Sequence, residues 1–187
     1  MISVEQHIVD EILVENAKRM KALRAEFDPI TGQDAPGERF LLTIPDFAIP
    51  VQYAPIEMKE MPLVQSIMMA GSIKKYLKTT TDFDDCKEKP TVDDITRILL
   101  QLRFAEDFPM WAFYEIRIED KQTGVMVPFK LNNPQIIVFL ECERLRKAGL
   151  PINIIICKAR QWGGSTFCIF YQMWIGLYRA IKHSFAV

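Results

Sequence analysis

The residues best equipped for chemistry lie in one short run, Lys158-Ala-Arg160-Gln161-Trp162-Gly163-Gly164-Ser165-Thr166. An ammonium, a guanidinium, two adjacent glycines and two hydroxyls in that order are the parts needed to hold a phosphate. Glycines let the backbone turn so that successive N–H groups face one anion. A helix that starts there adds the positive end of its dipole, and a hydroxyl can ligate a divalent metal. The preceding Pro151-Ile-Asn-Ile-Ile-Ile156 reads as a buried strand, and the apolar, aromatic stretch from Gly164 reads as a helix. Strand, glycine turn and helix together are the layout of a phosphate-binding loop.

The usual formula for such a loop is Gly-x-x-x-x-Gly-Lys-Ser/Thr. Aligned on Gly163, Ser165 takes the metal-ligating position, Gly164 stands where the lysine belongs, and Lys158 stands where the first glycine belongs. The lysine has moved to the front. A long side chain rooted at a strand end can fold back over the loop and still set its ammonium beside the β- and γ-phosphates. Spacing alone leaves a second reading open, a tight turn in which Gly163 and Gly164 serve conformation only. Trp162 is open in the same way, between stacking on a base and packing the loop against the neighbouring helix.

These residues need elements to position them. Val4, Ile8, Ile12, Leu13, Ala17, Met20 and Leu23 recur with a helical period, predicting an amphipathic helix from Ser3 to about Arg24, with capping-box spacing between Ser3 and Gln6. Prolines and glycines between Asp28 and Gly37 stop it. Pro45, Pro50, Pro55 and Pro62 then leave room for short extended pieces at Phe40–Ile44 and Ala48–Tyr53. A second helix is predicted from Pro62 to Leu77, and a third, capped by Thr91, to Glu106. Trp111–Glu119 and Val125–Phe129 read as strands of a hairpin with Gly124 in its turn. A fourth helix begins at Pro134 behind Asn133 as cap and ends at Gly149, and a fifth runs from Gly164 to about Lys182.

The expected organisation is α/β, in two parts. Residues 1–108 form a helical, proline-punctuated region, and 109–187 form the opening of a P-loop ATPase fold with a parallel sheet. So little chain follows Thr166 that the sheet is expected to be incomplete, as in the front portion of a longer domain.

Composition narrows the classes. With 49% hydrophobic and 25% charged residues, the chain is globular, and a net charge of −1 gives no overall electrostatic footprint for nucleic acid. The four cysteines form no Cys-x-x-Cys pair and the two histidines lie at opposite ends, so no zinc site or disulfide framework is indicated. The N-terminus has no basic start followed by an apolar core, which suggests an intracellular protein. The apolar stretch Phe167–Ile181 contains Gln172 and Arg179 and falls short of the roughly 20 residues a bilayer span needs. Its aromatics, at helical spacing, read as core. Asp82, Asp84 and Asp85 read as a solvated loop, and Glu141 and Glu143, among Arg144, Arg146 and Lys147, as an exposed charged face.

Two segments carry a family resemblance. Lys158 to Thr166 resembles the deviant Walker A signature of the large terminase subunits of tailed bacteriophages and prophages, in which Arg-Gln-x-Gly precedes small and hydroxyl residues. Upstream, Pro128-Phe-Lys-Leu-Asn-Asn-Pro-Gln135 resembles the segment which in that family places an adenine-reading glutamine at a helix start. Residues 1–108 carry no such match.

The resemblance implies a motor that hydrolyses ATP to package viral DNA into capsids in the bacterial cytoplasm. Gln135 would read adenine, Lys158 would neutralise the β/γ-phosphates, and Ser165, with Thr166, would hold Mg²⁺. The backbone from Gln161 through Trp162, Gly163 and Gly164 to Ser165 would cradle the phosphates, and Arg160 would be the catalytic cation. Double-stranded viral DNA, a portal protein and a small terminase subunit would be its partners, with no membrane involved. Separately from the resemblance, the apolar surface of the fifth helix, which later strands would normally cover, could drive self-association into a homo-oligomer. Gly164 departs from the many members that keep a lysine there, leaving Lys158 the whole cationic role. No acidic Walker B strand or nuclease carboxylate cluster follows, so this chain alone is expected to hydrolyse ATP slowly or not at all. The alternative from another class is an interaction module that binds a packaging protein and has no working nucleotide site.

Overall fold

The computed structural model describes residues 4–83, 88–120, 123–156 and 162–179. It is mixed α and β, dominated by helix. Its only described sheets are two antiparallel pairs. Compactness divides the chain differently from a single cut at residue 108. One unit comprises Met1–Glu26 and Leu131–Cys168, and the other Phe27–Lys130 and Ile169–Val187.

The larger unit opens with β1 (Arg39–Thr43) and β2 (Val51–Pro55), paired antiparallel with Leu42 opposite Gln52 and Phe40 opposite Ala54. Alternation sends Leu42 and Ala54 inward and leaves Leu41 and Val51 in solvent. A 3₁₀ turn (Ile56–Glu60) leads to α2 (Pro62–Ala70) and α3 (Ile73–Thr79). The single helix expected over Pro62–Leu77 is therefore two. Gly71, at φ 80°, ends the first, and the Ser72 hydroxyl accepts the Lys75 N–H to start the second. α4 (Val92–Glu106) begins at the expected Thr91, in a reciprocal capping box with Asp94.

The run expected to begin a strand at Trp111 is helical instead, α5 (Phe108–Glu115). Asp107 caps it and Pro109 sits in its first turn, where a missing N–H costs nothing, so local capping overrides the β propensity of the aromatics. Only β3 (Arg117–Glu119) and β4 (Met126–Pro128) remain of the hairpin, with Gly124 at φ 68°. The core collects Leu42, Ile44, Met58, Val64, Ile67, Ile73, Ile95, Leu99 and Met110. Phe108, Tyr171 and Trp174 form an aromatic cluster, and the Trp174 indole donates to the Phe104 carbonyl at 2.7 Å. Of the aromatics of α7 (Gly164–Tyr178), Phe167, Tyr171 and Trp174 are buried, as their spacing suggested, while Phe170 and Tyr178 are half-buried.

The smaller unit contains α1 (Val4–Leu23), α6 (Asn133–Lys147) and the start of α7. Ser3, half of the suggested capping box, lies outside the described residues. At the far end of α6, Gly149 adopts φ 67° and the Leu150 N–H reaches back to the Leu145 carbonyl, a Schellman-type stop at the expected place. The run 151–156, expected as a buried strand, pairs with nothing among the described residues, and Ile155 is 95% exposed. With no described strand alongside to supply a ladder, a run of isoleucines forms no strand, and the parallel sheet is not present among the described residues.

Candidate functional site

The polar cluster at the start of α6 is the place where the two resemblance segments meet. Asn132, not Asn133, is its cap. The Asn132 side-chain oxygen accepts the Gln135 N–H at 3.1 Å, while Gln135 Oε1 accepts the Asn132 N–H at 3.0 Å. The spacing Asn-x-x-Gln is a capping box in the sequence, and it was the signal available for placing the cap one residue earlier. Asn133 faces elsewhere, donating to the Ala22 and Arg24 carbonyls at 3.1 and 3.2 Å and satisfying the C-terminal end of α1.

The same two amides hold the turn ahead of α7. Asn132 Nδ2 donates to the Trp162 carbonyl at 2.9 Å, and Gln135 Nε2 donates to the Gly163 carbonyl at 3.0 Å and the Trp162 carbonyl at 3.5 Å. Gln135 is buried, so these bonds are made away from water, where an unmade one is costly. Its amide is engaged at both ends by the chain itself, although the expected role would turn that amide toward an adenine edge.

A side chain at either glycine of the turn would have to displace a neighbouring side chain, and at Gly163 the backbone conformation favours glycine as well. Gly163 sits at φ 77°, and a Cβ there would stand 2.8 Å from Gln135 Nε2. A Cβ on Gly164 would stand 2.7 Å from the Trp162 ring. Trp162 thus packs on the turn it belongs to. Gly164, Ser165 and Thr166 form the first turn of α7, and the Phe167 N–H closes onto the Gly163 carbonyl at 3.0 Å. Ser165 is exposed and Thr166 half-buried. Lys158, Arg160 and Gln161 lie outside the described residues.

The remaining candidates fall into structural roles. Glu141 and Glu143 each grip an arginine on their own helix, Arg144 at 2.6 Å and Arg146 at 2.6 Å; the first pair is largely exposed and the second mostly buried. Asp82 accepts the Tyr76 hydroxyl at 2.9 Å, and Asp84 and Asp85 lie outside the described residues. Among the described residues no group of three or more His, Cys, Asp or Glu side chains could hold a metal ion, and no helix is long and apolar enough to cross a membrane.

Compared with protein-family models, curated proteins and solved structures, the chain matches none of them.

Proposed function

We propose that the chain is an ATP-binding part of a large terminase subunit, the motor that drives viral DNA into capsids. The observation that carries the reading is the hydrogen-bonded contact between Gln135 and the Trp162–Gly163 turn, which brings together the two segments whose order and residues resemble that family. A helix start lies directly behind that turn, so the N–H groups of Gly164, Ser165 and Thr166 are the groups that would face a phosphate. The exposed Ser165 hydroxyl would join phosphate oxygens and water around Mg²⁺. Lys158 would supply the phosphate cation and Arg160 the transition-state cation. Double-stranded DNA, portal protein and small subunit follow from the same resemblance, as does the bacterial cytoplasm.

The second reading, an interaction module with no working nucleotide site, draws on two observations. Both ends of the Gln135 amide are taken by the chain, and residues 151–156 form no strand behind the turn.

Tryptophan fluorescence separates the two. Trp111 and Trp174 are buried, whereas Trp162 is partly exposed on the turn. Mg-ATP should change the emission saturably, and the change should vanish in both Lys158→Ala and Trp162→Phe. A folded chain whose emission ignores Mg-ATP would establish the second reading.

A further inference from the structure

We infer that α1 is a self-association surface, which pairs antiparallel with α1 of a second copy of this chain. The starting observation is its exposure. Every residue from Gln6 to Arg19 is exposed, and the large aliphatics are no exception, with Ile8 at 50%, Ile12 at 54% and Leu13 at 60%. Ile8, Val9, Ile12 and Leu13 are adjacent on one side of the helix, and Asn16 and Ala17 extend the stripe. Helices in proteins draw most of their stability from a packed apolar face rather than from intrinsic propensity.

The charge pattern names the occupant. Asp10 and Glu11 precede the midpoint of the helix, Glu15 lies next to it, and Lys18, Arg19 and Lys21 follow it. A parallel partner of the same sequence would set acid against acid and base against base. An antiparallel partner, related by a two-fold axis near Leu13 and Asn16, sets Asp10 and Glu11 of each copy in the same turns as Arg19 and Lys21 of the other. The helix dipoles then also oppose favourably. The two surfaces are one and the same patch, as an isologous dimer requires. Asn16 in the seam is the kind of residue that selects one register at some expense of stability. The present intrahelical pairs, His7 with Glu11 at 3.7 Å and Arg19 with Glu15 at 3.2 Å, are exposed and weak, so they do not compete. A nucleic acid is a poor occupant, because the acidic half would face phosphate.

Sedimentation equilibrium of the full chain tests the assignment. The chain should be a dimer in the micromolar range, weakened by salt. Leu13→Asp should weaken the dimer about tenfold or more. Asp10→Lys with Glu11→Lys should give monomers, and so should Lys18→Glu with Arg19→Glu, while mixing these two variants should restore a heterodimer. Helicity by circular dichroism shows that each variant is folded, and the charge variants serve if Leu13→Asp is not. A monomeric wild-type chain overturns the inference. So does a dimer that the charge reversals leave intact, which would place the contact elsewhere, or charge variants that fail to recombine.

Discussion

Gln135 and Gly163 are joined by a single amide-to-carbonyl hydrogen bond of 3.0 Å, and the glycine's missing side chain is what lets the amide come so near. In Gln135→Ala, the Asn132 N–H and the Gly163 carbonyl both lose a buried partner. A loss of about 1–3 kcal/mol in unfolding free energy is expected. Gln135→Glu is the sharper probe. Its carboxylate can still accept the Asn132 N–H but has no donor for the turn, so two carbonyls face a negative oxygen. Facing carbonyls raises the folded-state value of that carboxyl and protonation restores an O–H donor, so the deficit of this variant, measured by urea unfolding against wild type, should shrink as pH falls towards the ordinary glutamate value of about 4.3 and level off below it. A deficit independent of pH would show that the turn carbonyls are not held by this side chain.

A buried ion network pins β1 to the junction between α4 and α5. Arg39 forks onto both Asp107 oxygens at 2.8 and 2.9 Å, Arg103 Nε reaches the same carboxylate at 3.3 Å, and Arg103 Nη1 donates to Gln52. Arg103 is fully buried, and its Nη2 has no hydrogen-bond partner. Burial pushes that guanidinium below its ordinary value and the like charge of Arg39 adds to this, while Asp107 opposes both. Asp107→Asn would leave two buried cations with no counter-charge and should cost about 3–5 kcal/mol, read as a lower denaturation midpoint. Arg39→Lys should recover little, because an ammonium cannot reproduce the fork.

Gly32 closes over this network at φ 76°, and a Cβ there would stand 2.2 Å from the Tyr53 carbonyl oxygen and 2.8 Å from Arg39 Nη1. Gly32→Ala combines a strained backbone with a clash against backbone, so it should destabilise well beyond the ~1–2 kcal/mol that a left-handed φ alone costs a residue with a Cβ. Thermal melts of Gly32→Ala and Gly37→Ala make the comparison, since Gly37 has a positive φ but open space around it.

What could be read from the sequence was what its nearest neighbours decide. Thr91 with Asp94, Gly149 after α6 and Gly124 in the hairpin act over three or four residues, and each appears where its chemistry put it. Gly71-Ser72 carried a stop and a start signal inside an apolar period, and the period concealed both. Asp107 and Pro109 outweighed an aromatic run that looked like strand. The Arg39–Asp107 pair joins residues far apart in the chain, and no local pattern announces it. At the candidate site, the order of Gln135 and the glycine turn was legible, and the Asn-x-x-Gln spacing carried the reciprocal bonds of Asn132 with Gln135, but the turn carbonyls that both amides hold belong to tertiary packing.

Asp46 shows the same long-range logic and gives an acid-side test. Its carboxylate accepts the N–H groups of Ile73 and Lys74, both at 2.8 Å, so with Ser72 it satisfies the first turn of α3. Burial raises its pKa, but those two N–H groups, together with its own N–H and the Lys74 charge, outweigh burial and hold it below the ordinary 3.8. A folded-state value below the unfolded one means stability that is present above pH 3.8 and lost as pH falls through the folded value. Asp46→Asn should therefore lower stability at neutral pH and flatten the acid limb of the stability curve. An unchanged acid limb would remove Asp46 from the account.

Cys142 gives the alkaline counterpart. It is buried on α6, and burial first, then neighbouring Cys168 and the carboxylates of Glu143 and Glu141, push its thiol from an ordinary 9.0 to about 12. The thiolate is the reactive species, so Cys142 should stay inert to thiol reagents at pH 8 in the folded chain and react once urea exposes it. The folded state keeps its proton where the unfolded state has lost it, so the contribution is full below pH 9.0 and is lost as pH rises from there towards 12. Cys142→Ala removes that titration but opens a small gap in the core. Its stability should be lower than wild type at pH 7, with the difference narrowing above pH 9 in paired urea titrations. A constant difference across that range would mean that the thiol does not remain protonated in the folded chain.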